Sequence, residues 1–499
     1  MPYCQTQQTI IQDKTQEMTL KEETIKGVKW SGLSRGSQQT LQLAISVILA
    51  RLLMPEDFGV LAMAVVFTGL IAIFNDFGIG AATIQMQDLS DDDLSSIFWF
   101  NLFIGLIATL FTVVISPLIA AFYDKDILIP ILSILGLGFL LSSFSVIQRS
   151  ILIKKMDFKK IAMVEIITTV ISGTAAIYLA YMGYGVWSLV WQGIIAAVIT
   201  GLIYWIISQW KPKFKFQFGT VKSIMKFSIN MLGFNIVNYF SRNADYLLIG
   251  KFLGAESLGY YTLAYKLMLY PLQNISSIIS RVLFPAFSAI QGDDVRLRSA
   301  YLKATKLIAF VTFPVMFGLF ALADELILTV YSAKWEPAII LFKIFCFVGM
   351  IQSIGSTVGQ IYLAKGKTDW MFRWGLFASI LIVCAIALGL YWGVKGVAIS
   401  YAVGAFILAY PNFAIPFRLI NLKVKTLVLN LKTEFYTSLM MFVIVFSSVV
   451  IQRQIGIESK VILISNILLG IAIYLVATKI LNSDAYNEIQ GMVWSKKKI

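Results

Sequence analysis

The sequence contains no histidine among its 499 residues. That absence excludes His-based catalytic triads, imidazole proton relays and histidine metal ligands. Cysteine is almost as scarce. Cys4, Cys346 and Cys384 lie far apart, so neither a disulfide framework nor a thiolate metal cluster is expected. Charge is scarce too, at 14% of residues, against about 25% in a soluble domain. No phosphate-binding P-loop is present, which excludes nucleotide hydrolysis by this chain. The acidic run Asp91 to Asp93 falls on a short loop and reads as solvated rather than as a glycosyltransferase pair. No catalytic residue, metal site or cofactor is expected.

Apolar sequence is what the chain has in abundance. It is 58% hydrophobic with a mean hydropathy of +0.79, and its apolar runs reach the roughly 20 residues needed to cross a bilayer. The pattern predicts an all-α polytopic membrane protein with spans at about 30–50, 58–79, 97–122, 127–147, 161–182, 186–208, 227–249, 258–283, 306–331, 338–364, 374–393, 396–417, 435–451 and 460–480, fourteen transmembrane helices. Residues 1–29 are polar, with no apolar core of a cleavable signal, so the first span is expected to act as an uncleaved one. Met18 opens an amphipathic lead-in, so residues 1–17 are expected to be a dispensable or misassigned extension.

The net charge of +14 would suggest nucleic acid in a soluble protein. Here it is topological, because Lys and Arg are retained on the cytoplasmic side. With the N-terminus inside, the inside segments hold 29 Lys and Arg and the outside segments 7, with 5 left within spans, which accounts for all 41. The exception is 80–96, which faces inward yet carries no base. Both termini are therefore expected in the cytoplasm, and nucleic acid is not an expected partner.

A repeat organises the spans. Arg51, Leu53, Glu56, Phe58 and Gly59 recur as Lys251, Leu253, Glu256, Leu258 and Gly259, an offset of 200 residues without a gap. That offset covers six spans, and an even number restores orientation, so the lobes are expected to be parallel repeats about an axis along the membrane normal. The chain then divides into a cytoplasmic tail 1–29, an N-lobe 30–210, a basic cytoplasmic linker 211–226, a C-lobe 227–418, a cytoplasmic loop 419–434, two extra spans in 435–480 and a cytoplasmic tail 481–499. The extra spans show no polar stripe and read as an appendage.

Five bases lie within spans: Arg35, Arg242, Lys266, Arg281 and Lys343. A charge at a helix centre costs about 2.5–3.5 kcal/mol even on lenient scales. Lys343, near an outer end, is expected to snorkel, and Arg35 and Arg281 lie within snorkelling reach of the cytoplasmic ends. Arg242 and Lys266 sit closer to their span centres. Three stripes gather these charges: Arg35, Gln38 or Gln39 and Gln42 on the first span; Asn235, Asn238, Arg242 and Asp245 on the seventh; Lys266, Tyr270, Gln273, Ser277 and Arg281 on the eighth. Two readings of Arg242 stay open, an i, i+3 ion pair with Asp245 or a place in a shared basic cavity suited to phosphate or diphosphate. Asp245 is the coupling-ion candidate.

The segments Leu49-Ala-Arg-Leu-Leu-Met-Pro55-Glu-Asp-Phe-Gly59, Asn75-Asp-Phe-Gly-Ile-Gly80, Phe98-Trp-Phe-Asn101 and Tyr184-Gly-Val-Trp-Ser-Leu-Val-Trp-Gln192 resemble the polysaccharide repeat-unit flippases of the multidrug/oligosaccharidyl-lipid/polysaccharide exporter superfamily. The resemblance covers nearly the whole chain after Met18. It implies two six-helix lobes around a cationic cavity, alternating access, and movement of an undecaprenyl-diphosphate-linked oligosaccharide to the outer leaflet, with membrane lipids, a polysaccharide polymerase and glycosyltransferases as partners. The basic cavity it implies is carried onto Arg35, Arg242, Lys266 and Arg281 alone. The alternatives are a multidrug/cation antiporter of the same superfamily, which calls for unpaired acids in the lobes, and a membrane polymerase or ligase, which calls for a large outer loop that this sequence lacks.

Overall fold

The computed structural model describes residues 36–76, 79–86 and 89–481, and every regular element among them is a helix. Apolar runs leave a backbone in lipid no other way to satisfy its polar groups within one segment. The chain packs as two compact units, Met1–Phe240 and Ser241–Ile499. The first holds a helix over 36–52 (α1), α2 (Pro55–Asp76), α3 (Ile79–Gln85), α4 (Asp91–Tyr123), α5 (Leu128–Ser143), α6 (Val146–Lys154), α7 (Phe158–Tyr181), α8 (Val186–Ser208) and the start of α9 (Phe218–Ala289). The second holds the rest of α9 with α10 (Asp294–Ala321), α11 (Ala323–Leu326), α12 (Ala338–Gly355), α13 (Val358–Ala364), α14 (Thr368–Gly389), α15 (Gly393–Phe417), α16 (Val424–Gln454) and α17 (Ser459–Leu481).

Among the described residues nine helices are long and apolar enough to cross a membrane, or ten if the α5–α6 pair, bent by 41°, is one span. One of the nine, Thr368–Ile420, is 53 residues long. At 1.5 Å per residue that is about 80 Å, well over twice the thickness of a hydrocarbon core. Both predicted spans 374–393 and 396–417 fall inside it, divided at Gly393 (φ 68°). The 72-residue α9 likewise contains the predicted spans 227–249 and 258–283, with a break at Gly254 (φ 83°, ψ 176°). That left-handed φ is open to glycine at little cost and to other residues only with strain. Two hundred residues earlier the chain also breaks, between α1 and α2, where Pro55 starts the new helix in the first-turn position that proline favours.

The run Asp91 to Asp93 is the first turn of α4 rather than a solvated loop. Ser90 caps the helix: its hydroxyl accepts from the Asp93 N–H at 3.2 Å, and the Asp93 carboxylate accepts from the Ser90 N–H at 3.0 Å. Acids in a first turn also suit the helix dipole. Lys215 Nζ lies 2.7 Å from Asp92, and Lys213 Nζ lies 3.7–3.8 Å from Asp91 and Asp92. The base-free segment 80–96 is thus compensated by bases of the linker. The hydrogen bond from Lys215 holds the Asp92 carboxyl below its ordinary range. Its contribution is present above the ordinary carboxylate pKa and fades only as pH falls through the lowered one. The linker 211–226 therefore packs with the first unit, and the start of α9 follows it: the Tyr239 hydroxyl donates to the Val66 carbonyl at 2.6 Å.

The last two helices are more than an apolar appendage. Glu434 of α16 is fully buried with Lys306 of α10 3.7 Å away, and the Tyr474 hydroxyl of α17 donates to the Phe310 carbonyl at 2.7 Å. At the far end of α16, Arg453 reaches Glu325 at 2.6 Å and Asp324 at 2.7 Å. Asp324 also takes Lys343 at 2.8 Å, so Lys343 is ion-paired instead of snorkelling. These contacts escape a hydropathy reading because Glu434 and Arg453 fall just outside the predicted span 435–451.

Glu325 is 3% exposed, so Arg453 compensates a buried carboxylate. Arg453→Met should destabilise the protein by about 3 kcal/mol, the scale of leaving a buried charge unpaired. Adding Glu325→Gln should recover most of that loss, read as the thermal midpoint of the purified protein in lipid nanodiscs.

Candidate functional site

The polar stripe predicted on the seventh span is divided by burial. Asp245 is 6% exposed, whereas Arg242, one turn before it, and Asn238 are exposed. No Arg242–Asp245 ion pair forms among the described residues. The Asp245 Oδ2 accepts from the Tyr261 hydroxyl at 2.8 Å, and Oδ1 from the Tyr246 N–H at 2.9 Å. The break at Gly254 makes this possible: it folds α9 back so that residues 16 apart in sequence meet.

Rings pack around Tyr261, whose hydroxyl binds the carboxylate. Tyr246 stands edge-on to Tyr261 at 6.0 Å, Tyr265 stacks along Tyr261 at 6.0 Å, and Phe345 of α12 closes edge-on at 5.2 Å. Tyr401 of α15 packs on Tyr265 at 6.3 Å and accepts from Gln352 Nε2 of α12 at 2.7 Å. A tyrosine supplies an apolar body together with a donor, which suits a buried anion in an apolar shell. The sequence shows Tyr261 and Tyr265 at i, i+4, a spacing that signals one helix face. It gives no sign that this face turns toward Asp245, because that contact depends on the Gly254 break.

The other predicted residues separate by accessibility. Lys266 and Gln273, two turns apart on α9 after the break, are exposed. Among the described residues neither Arg242 nor Lys266 forms an ion pair. In the first unit Gln38 is half-buried and Gln42 exposed on α1. Arg35 lies outside the described residues, as do the side chains of Asn235 and Arg281. A cation on an apolar helix that is neither buried nor matched to a carboxylate is free to meet an anion. Among the described residues no three Asp, Glu, Cys or His side chains gather as metal ligands.

Tyr261→Phe removes the donor to a buried carboxylate and should cost about 1–3 kcal/mol. Arg242→Gln, on an exposed position, should change stability by less than about 0.5 kcal/mol. Thermal unfolding of the two purified variants checks the contrast.

The polysaccharide biosynthesis protein family model matches residues 48–340. The lipopolysaccharide biosynthesis protein WzxC of Escherichia coli (strain K12) is 27% identical over 448 residues, covering 88% of this chain and 90% of that protein. The teichuronic acid biosynthesis protein TuaB of Bacillus subtilis (strain 168) is 28% identical over 404 residues, covering 79% and 83%. The solved structure of the lipid II flippase MurJ, in an inward closed conformation, superposes with a TM-score of 0.74 at 19% identity, covering 92% of this chain and 99% of that one, which shows a shared fold. The family match spans more than half of the chain, and the chain belongs to the polysaccharide biosynthesis protein family.

Proposed function

We propose that this protein is a flippase that moves an undecaprenyl-diphosphate-linked oligosaccharide repeat unit from the inner to the outer leaflet of the bacterial plasma membrane, for surface polysaccharide biosynthesis. The observation that carries the reading is the pair Arg242 and Lys266, exposed within the two predicted spans of α9 and with no carboxylate partner among the described residues. Family membership and likeness over 79–88% of the chain to proteins named for lipopolysaccharide and teichuronic acid biosynthesis support it. A multidrug cation antiporter would need accessible, unpaired acids, and Asp245 is buried and hydrogen-bonded.

In this reading fourteen spans form two parallel six-helix repeats plus two further helices, with both termini cytoplasmic. The diphosphate enters a cavity open to the cytoplasm, where Arg242, Lys266 and the candidates Arg35 and Arg281 replace part of its hydration. Gln38, Gln42, Asn235, Asn238 and Gln273 supply neutral hydrogen bonds to the head group. The polyprenyl chain stays in lipid while the repeats rock. An inside-negative potential favours outward movement of a net anionic complex, at about 2.3 kcal/mol per charge per 100 mV. Glycosyltransferases supply the substrate and a polysaccharide polymerase consumes it.

Asp245 is the group we assign to ion coupling, and its surroundings suit a proton. A proton needs a single carboxylate, whereas a metal cation takes roughly six oxygen ligands, and among the described residues no cluster of three acidic side chains gathers to supply them.

Complementation of a strain lacking the gene tests the reading. Arg242→Ala and Lys266→Ala should each slow the appearance of surface polysaccharide about 10- to 100-fold at normal membrane abundance, the scale of one charge-assisted hydrogen bond. Lipid-linked repeat units should accumulate on the cytoplasmic leaflet. Deletion that leaves polysaccharide intact and alters only drug tolerance would overturn the substrate assignment. In inverted vesicles, Asp245→Asn should abolish the response of transport to an imposed ΔpH while sparing its response to membrane potential. Wild-type transport that ignores ΔpH and follows potential alone would remove Asp245 from coupling.

A further inference from the structure

The connection between α8 and α9 has two sides with opposite chemistry. Its polar groups are spent on the first turns of α4: the Lys213 N–H donates to Ser95 Oγ at 3.0 Å, the Gln217 N–H donates to Ser96 Oγ at 2.9 Å, and the Lys213 carbonyl accepts from Trp99 Nε1 at 2.9 Å. Lys215 closes on Asp92 at 2.7 Å. A tight turn, with the Lys215 N–H donating to the Lys213 carbonyl at 2.9 Å, fixes the backbone at Phe214. Four anchors along a segment this short leave it little freedom.

The other side is apolar and bare. Phe214 is 92% exposed, Phe216 55% and Phe218 70%. Phe214 stacks one face on Trp99 at 5.1 Å and leaves the other open. Three exposed phenylalanines within five residues, on a pinned backbone, form an apolar surface that demands a cover. The connection joins the C-terminus of a membrane-long helix, α8, to the N-terminus of α9. Its rings therefore lie at the height where a bilayer changes from headgroup to acyl chain, the depth that aromatic side chains favour. Lys211 and Lys222, both exposed, flank the rings and match the phosphates of lipid headgroups.

We infer that residues 209–218 form an interfacial strap, with Phe214, Phe216 and Phe218 inserted into the cytoplasmic leaflet at the headgroup boundary and their depth set by the anchors to α4. The partner is the phospholipid surface itself. The strap holds the first turn of α9 at a fixed depth, and it requires only that α8 ends at a leaflet boundary, whatever cargo the protein moves.

Spin-label accessibility tests this on the full chain. In a Cys4→Ser, Cys346→Ala, Cys384→Ser background, Phe214, Phe216, Phe218 and Gln217 are replaced one at a time by Cys, labelled with a nitroxide and reconstituted into vesicles of phosphatidylethanolamine and phosphatidylglycerol. Labels at 214, 216 and 218 should collide more often with oxygen than with a water-soluble nickel chelate, with the order reversed at 217. Equal access of nickel at 216 and 217 would place the rings in water and overturn the inference. Exclusion of both reagents at 216 would also overturn it, because protein rather than lipid would then cover the surface. Hydroxyl-radical footprinting of the unsubstituted protein in the same vesicles gives an independent reading: the three phenylalanines should remain unoxidised, and their oxidation would reject the strap.

Discussion

A charge carried into an apolar medium must be matched, neutralised or left where an anion and water can reach it. That constraint sorts the ionisable side chains described within or beside the predicted spans of the second unit. Arg453 binds Asp324 and Glu325, Lys343 binds Asp324, and Lys306 faces Glu434. Each of these is internal compensation, and each ties one helix to another. Asp245 is matched differently, by a phenolic and a backbone donor. Arg242 and Lys266 belong to neither group, and this exclusion from the internal pairs makes them the functional candidates.

The aromatic residues divide in the same manner. In the cluster around Tyr261, one ring presents its hydroxyl to Asp245 and the others pack on that ring. Those of the strap present bare rings. One residue class serves both ends because an aromatic side chain is apolar in bulk and polar only at its rim.

Much of this architecture is legible in the sequence, because length and hydropathy act locally. Apolar runs of 20 residues fix the helices, and the 200-residue offset between Arg51 and Lys251 foreshadows the break at Gly254. What stays hidden depends on contacts between segments distant along the chain. Tyr261 reaches Asp245 only after the helix has turned back. Lys213 and Lys215 meet Asp91 and Asp92 across more than a hundred residues. Glu434 and Arg453 lie at the margins of an apolar run, where a window scan treats charge as flank, and burial is what gives them meaning. The stripe Asn238, Arg242, Asp245 shares a helical face by spacing, yet its members divide between surface and interior, because helical periodicity fixes direction and says nothing about what stands opposite.

The hydrogen bond between Tyr261 and Asp245 also has a mechanical side. The two residues lie seven and nine positions from Gly254, about 10–13 Å along the two arms of that corner. At such a radius, opening the corner by about 10° would part them by about 2 Å, enough to break a hydrogen bond. The bond is a brace across a bracket. While it holds, opening at Gly254 costs the loss of that bond, about 1–3 kcal/mol. Once the carboxylate changes its partner, that resistance is gone and the Tyr246–Tyr261 ring contact remains across the corner.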